Sequence, residues 1–329
     1  MSHFGQSKLG RRSHREGRMA WPLMFGIGIA ATIIVNSTDA LGDELWTLHH
    51  EVVLPAVSVA GQRVPIHTQG LYIDDESIYV TGRTEQLPKR PVFVRFELRD
   101  PNRYECRVLE TGTNGETAET LDHPGGFDFD GTHFWIPIAR SQPSGPSVIV
   151  RLTRDRHSDL AMWAQQVAFE VDDHVGALAV NRNQGQLFGA NWDTAKIHVW
   201  QTDGTLLHTV SREHWCPSDS GWRLAVQDWK FVKDGDLFPE GCLIASGIDK
   251  SLPVDPQDSR AVVELYVTST NTRTRRITRT RRITLPRVDG LQRPITTEGM
   301  CVVGRFLALV PEDLDGDARV FFFEHHIEK

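Results

Sequence analysis

The chain has 329 residues, 40% of them hydrophobic and 9% aromatic, with 43 acidic against 36 basic side chains for a net charge of −7. That length and apolar content supply a large core and exclude a disordered or fibrous chain. The acidic balance argues against nucleic acid or an anionic membrane as a partner.

The first forty residues stand apart. Lys8, Arg11, Arg12, Arg15 and Arg18 precede an apolar run, Met19–Val35, and Thr38-Asp39-Ala40 offers a small-residue cleavage site. This is the pattern of a secretory signal peptide. The expectation is residues 1–40 as signal and 41–329 as one domain, exported to the periplasm or the medium. If the run is kept, it is a membrane anchor; if it is cut, no stable membrane association remains.

From there the chain alternates like strand after strand, and no amphipathic helical run follows residue 42. Glu44–Leu54 is the first alternating segment. His67–Gly82 then reads strand, turn, strand, and His123–Pro137 repeats the pattern around an Asp130-Gly131 turn. Asp-Gly between apolar runs is a hairpin signal, because the turn needs backbone angles those residues adopt cheaply. Further copies run from His174 to Trp192, from Val226 to Gly247 and from Thr297 to Val310.

Aligned on Gln69, Gly125, Gly176, Gln227 and Glu298, the copies step by 56, 51, 51 and 71 residues. A period near fifty with several short strands per repeat means β-propeller blades. The residues after Glu298 and those from Leu41 to Thr68 together make up one more repeat, cut by the chain ends. The expected fold is all-β, a five-bladed propeller sealed by the N-terminal strand in the last blade, with six blades as the alternative if one hides after Gln227.

Inner strands of a propeller begin at one face, so residues at their starts converge on the axis. His67, His123 and His174 occupy one register, and Gln69, Gln227 and Glu298 the register two residues on. With a strand period of two, both registers are expected to point the same way. The ends of the second strands return Arg83, Arg140, Asn191, Trp192, Asp193, Asp249, Lys250 and Glu312 to the same face. Three imidazoles make a shell for a zinc-like divalent metal. They serve equally as acid and base on an organic ligand, with Glu298 and His123 as the catalytic pair. A hydrogen-bonded ring around channel waters is the bland alternative. The expected ligand is a small polar molecule, bound by Gln69, Gln227, Arg83, Arg140, Asn191, Trp192 and Asp193; the expected state is a monomer.

Three other features are weaker. Asp313, Asp315, Asp317 and Glu324 have calcium-loop spacing, but Ala318 stands where Gly is needed and strand follows, so calcium is the less favoured ion. The run Arg273–Thr284 alternates Arg and Thr like an exposed outer strand. Of Cys106, Cys216, Cys242 and Cys301, only Cys216 with Cys242 is considered as a pair.

Gly185–Leu207, with Ala-Asn-Trp at 190–192 and Asp-Gly-Thr-Leu at 203–206, resembles a stretch of the plant and bacterial glutamine cyclotransferases, as does Thr68-Gln-Gly-Leu71. Those are secreted five-bladed propellers. The resemblance implies the same blade count and chemistry at the axial end. Ala177 stands where that family carries glutamate, and His67 replaces its Phe, which implies a different ligand. A looser resemblance is to gluconolactonase-type and virginiamycin-lyase-type propellers. Two functions are expected in competition. One is a hydrolase, lyase or cyclotransferase-like enzyme. The other is a non-catalytic module that recognises a peptide or glycan through Trp192, Trp215 and Trp222.

Overall fold

In the computed structural model the described residues are 45–112, 121–212, 224–233, 237–250, 261–268, 277–291, 293–311 and 318–326. Residues 1–40, Trp215, Cys216, Trp222, Arg273, Glu312 and the acidic loop 313–317 lie outside them.

The chain opens with β1 (Leu45–Leu54) and a short hairpin, β2 (Val57–Val59) and β3 (Gln62–Val64). Blade 1 follows as β4 (Ile66–Ile73), β5 (Ser77–Thr84), β6 (Pro91–Glu97) and β7 (Asp100–Val108). Blade 2 has a broken inner strand, β8 (His123–Pro124) and β9 (Asp128–Phe129), then β10 (His133–Ala139), β11 (Ser147–Thr153) and β12 (Gln165–Val171). Blade 3 is β13 (Val175–Asn181), β14 (Gln186–Asn191), β15 (Lys196–Gln201) and β16 (Leu206–Ser211). Blade 4 is β17 (Leu224–Phe231), β18 (Leu243–Asp249), β19 (Ala261–Thr268) and β20 (Ile277–Thr284). Blade 5 is β21 (Gly299–Val303), β22 (Phe306–Val310) and β23 (Ala318–His326), and β1 is its outermost strand, antiparallel to β23 from Leu45↔His326 to Leu54↔Ala318. The fold is thus a five-bladed all-β propeller, closed as the spacing predicts.

Its core is divided evenly, one apolar cluster to each boundary between adjacent blades. Tyr79 and Phe93 of blade 1 meet Phe127 and Phe134 of blade 2. Trp135 meets Leu178 and Trp200 between blades 2 and 3. Phe188 meets Trp229 and Tyr266 between 3 and 4, and Ile244 meets Met300 and Phe321 between 4 and 5. The seam from blade 5 to blade 1 is as well filled, by Val320 and Phe322 against Leu71, Val80 and Val94. Side chains alternate between the two faces of each sheet, so a blade buries both faces against its neighbours.

The outer strand of blade 4 carries the basic run. Exposed and buried positions alternate along β20, and Arg279 and Arg282 pair with Glu264 of the neighbouring strand. Cys106, Cys242 and Cys301 are free thiols. Glu324 sits in β23 and pairs with Arg305 at 3.1 Å, so the last residue of the calcium-loop spacing belongs to a strand.

Candidate active site at the channel mouth

The inner strands share one irregularity. Strand pairing slips at Gln69 in β4, at Gly176 in β13 and at Gln227 in β17, so each of these residues is a β-bulge. In blade 2 the inner strand is interrupted at the corresponding place, around Gly125 and Gly126. In blades 1, 3 and 4 the column on which the repeats align is therefore a column of bulges. A bulge adds one residue to one strand and re-aims its side chain. Strict period-two alternation fails there, which corrects the sequence argument for where the bulge residues point.

The glycines serve contact between blades. Gly126 N donates to Gly176 O at 3.0 Å, and Leu178 N donates to Gly126 O at 2.9 Å. A Cβ on Gly125 would stand 2.0 Å from Gly176 O. Backbone approach between blades 2 and 3 thus takes the space beside these glycines.

Just outside the bulges lie the three histidines. Their rings form a row, His67 to His123 at 6.2 Å and His123 to His174 at 6.1 Å between centroids. His174 is buried, its Nδ1 lies 2.6 Å from the carbonyl of Gln142, and its ring meets Trp192 edge-on at 4.9 Å. His123 Nδ1 is buried and has no hydrogen-bond partner among the described residues. The His67 ring reaches Glu298, Nε2 to Oε1 at 3.9 Å, and both side chains are buried.

Burial decides the charge states. Burial pushes His67 down to about 4, and Arg83, its cross-strand neighbour, adds to the effect. His123 is pushed down to about 3, first by burial, then by Arg83 and the flanking imidazoles. His174 is lowered by burial as well. Glu298 moves the other way: burial raises its carboxyl well above the usual range, against the pull of Arg293 and Arg83. Burial thus shifts the imidazoles towards their neutral forms and the Glu298 carboxyl towards its protonated form.

The other expected residues divide. Gln69 is buried and Gln227 half-buried at their bulges. Arg83 is held by Glu85 at 2.9 Å and donates to Ser141 at 2.5 Å, which in turn donates to Asp122 at 2.8 Å. Arg140 is half-buried, with its stem against Gly145. Asn191 turns away: its amide donates to Asp173 at 3.2 Å, and its carbonyl oxygen accepts from Lys196 N at 2.7 Å. Asp193 pairs with Lys250, and Asp249 with Arg282, outside the histidine row. Trp192 keeps 37% of its surface exposed beside His174.

The three-histidine metal shell is not assembled. Among the described residues no group of three or more His, Cys, Asp or Glu is placed to hold a metal ion. One contributing reason is that His174 Nδ1 lies 2.6 Å from the carbonyl of Gln142 and is spent there.

Two residues that sequence reasoning missed occupy the channel below. Asp228 is fully buried. Its Oδ2 accepts from Leu71 N of blade 1 at 3.3 Å and Met300 N of blade 5 at 2.9 Å. Its Oδ1 accepts from Trp229 N at 2.8 Å and from Lys230 Nζ. Asp128 does the same for the other blades, accepting from Val180 N of blade 3 at 3.0 Å and from Lys233 Nζ of blade 4 at 3.1 Å. The available signal was an acidic residue inside an otherwise core-like strand, which is rare unless the charge is paired.

A family model covers residues 106–276, just over half the chain, and the protein belongs to that family. It is DUF6454, a family of unknown function. No curated protein matches the DUF6454 chain. Among solved structures it is similar to a GH130 enzyme described with glycoside hydrolases that target β-1,2 mannosidic linkages in Candida mannan, at 11% identity over 79% of this chain and 84% of that one, TM-score 0.44. It is similar to a candidate glycosidase from Bacteroides thetaiotaomicron at 12% identity, covering 84% and 93% of the two chains, TM-score 0.45. The WD40 repeats of RRP9 stand at 11% identity, 86% and 100% coverage, TM-score 0.42. Enzymes and a WD40 repeat domain lie at the same distance, so these likenesses carry no functional argument.

Proposed function

We propose that this DUF6454 protein is an exported enzyme that binds a small polar molecule at the channel mouth and moves a proton there. The observation that carries this reading is the buried pair of Glu298 and His67, Nε2 to Oε1 at 3.9 Å, in which burial raises the carboxyl and lowers the imidazole. A carboxylic acid kept neutral beside an uncharged imidazole supplies a proton donor and an acceptor in one dry site, as general acid–base catalysis needs. His123 lies beside His67 with a buried Nδ1 that no described residue satisfies, a position suited to a ligand hydrogen bond. The reaction class this supports is acid–base hydrolysis, elimination or cyclotransferase-like chemistry. The glutamine cyclotransferase resemblance of 68–71 and 185–207 adds support, and the signal-like residues 1–40 support export. The site needs no nucleic acid, membrane or second copy of the chain.

The test is thermal shift of the wild type, His123→Ala and Glu298→Gln against small acids, amides, lactones and sugars. A ligand is expected to stabilise the wild type and lose about tenfold in affinity with His123→Ala, as for one buried hydrogen bond of about 1–3 kcal/mol. Ligands that stabilise all three proteins equally sink the reading. They would favour a peptide- or glycan-recognition module built on exposed Trp192.

A further inference from the structure

The strand that closes the ring carries two consecutive histidines. In a regular strand His49 and His50 would face opposite sides of the sheet. Here the pairing of β1 with β23 slips between Leu48 and His50, and His49 is the extra residue. The slip turns both rings to one side. Their Nδ1 atoms stand 2.7 Å apart, with ring planes at 79°. His50 stacks flat on Phe322 at 4.3 Å, and His49 leans on Phe306 at 5.0 Å, so both rings are backed by aromatic surface while their nitrogens face water. On the far side of the His49 ring, Nε2 lies 3.9 Å from Glu324 Oε2.

We propose that His49 and His50 form a two-imidazole site for Cu²⁺ on the outer strand of blade 5. Donors about 2.0 Å from a metal stand about 2.8 Å apart when cis in a square plane and about 3.3 Å apart in a tetrahedron. The separation of 2.7 Å matches the square-planar spacing that Cu²⁺ prefers. A small rotation of each exposed ring brings both lone pairs onto one ion. Glu324 then receives the Nε2 proton of His49, the carboxylate–histidine–metal arrangement that fixes a ligand's tautomer. Two protein donors leave the remaining positions to water, in keeping with the absence of any three-donor group among the described residues. This site is distinct from the channel mouth and rests on none of its residues.

The experiment titrates Cu²⁺ into the full chain carrying His3→Ala, which removes a competing imidazole from the Met-Ser-His segment. Calorimetry measures the first equivalent, and electron paramagnetic resonance counts the nitrogens in its equatorial plane. Two nitrogens are expected. In that background His49→Ala and His50→Ala each lower affinity at least tenfold, and Glu324→Gln lowers it about tenfold. His326→Ala, on the neighbouring strand, leaves it unchanged. Both rings are surface groups, and circular dichroism confirms that the variants are folded. Unchanged affinity and an unchanged spectrum in His49→Ala and His50→Ala overturn the proposal.

Discussion

The mouth and the waist of the channel treat buried titratable groups in opposite ways. At the waist Asp228 and Asp128 each accept several hydrogen bonds and each pair with a lysine, so every lone pair has a use. At the mouth burial pushes His67 and His123 towards their neutral forms and Glu298 towards its protonated form. A saturated carboxylate is structural: it stitches blades 1, 4 and 5 through backbone N–H groups that would otherwise be buried unpaired. The buried His123 Nδ1, with no partner among the described residues, is available to something else. The difference separates scaffold from candidate chemistry within one channel.

The largest expected effect tests the waist. Asp228→Ala leaves Lys230 as a buried unpaired charge and should cost about 3–5 kcal/mol, a large fraction of a domain's stability, in denaturant unfolding. Combining Asp228→Leu with Lys230→Met should recover only the ion-pair part, because Leu71 N and Met300 N still lack an acceptor. If the double variant matches the wild type, the carboxylate is no bracket and the contrast fails.

A middle-sized effect concerns pH. The folded-state values of His67 and His123, about 4 and about 3, lie below the unfolded 6.5. Folding therefore favours their neutral forms. That contribution is full above pH 6.5 and is lost as pH falls towards the folded values. For His67 the gap corresponds to about 3 kcal/mol at most. Glu298 and Asp228, whose values are raised, act in the opposite sense and lose stability as pH rises. The difference between wild type and His123→Gln isolates the histidine part. The variant should melt with a flatter dependence between pH 6.5 and 4, and a parallel curve would show that His123 titrates alike in the folded and unfolded chain.

The smallest effect is expected at Glu298. A protonated carboxyl and a carboxamide are nearly isosteric, so Glu298→Gln should shift the melting midpoint by only a degree or two. At a saturated ionised carboxylate such as Asp228, the corresponding Asn should cost several times more. Equal losses at both positions would erase the comparison.

The two regions also differ in how much of them can be read in the sequence. Blade count, the closing strand and the arginine-rich outer strand follow from spacing and alternation, which are local properties of the chain. The histidine register is visible for the same reason. Where the rings point is not, because bulges at Gln69, Gly176 and Gln227 break the alternation from which direction is inferred. Asn191 and Asp193 lie at the expected end of blade 3, yet their partners are Asp173, Lys196 and Lys250, which no strand period identifies. Asp228 eludes the sequence because its meaning depends on blades 1 and 5, about 157 and 72 residues away.

The pairing of Leu45 with His326 joins residues almost a whole chain apart. Closing so long a loop in the unfolded chain costs about 5 kcal/mol in entropy, before the constant for initiating it. Once the intervening blades are stacked, the two ends already face each other and most of that cost is gone. The expected order is that β1 zips onto β23 late, so that deleting residues 45–54 speeds unfolding and leaves the refolding rate unchanged in stopped-flow kinetics. Interactions made so late leave the folding rate alone and govern how fast the ring comes apart. The seam strand thereby sets the lifetime of the native ring, and any ion held by His49 and His50 would act on that lifetime.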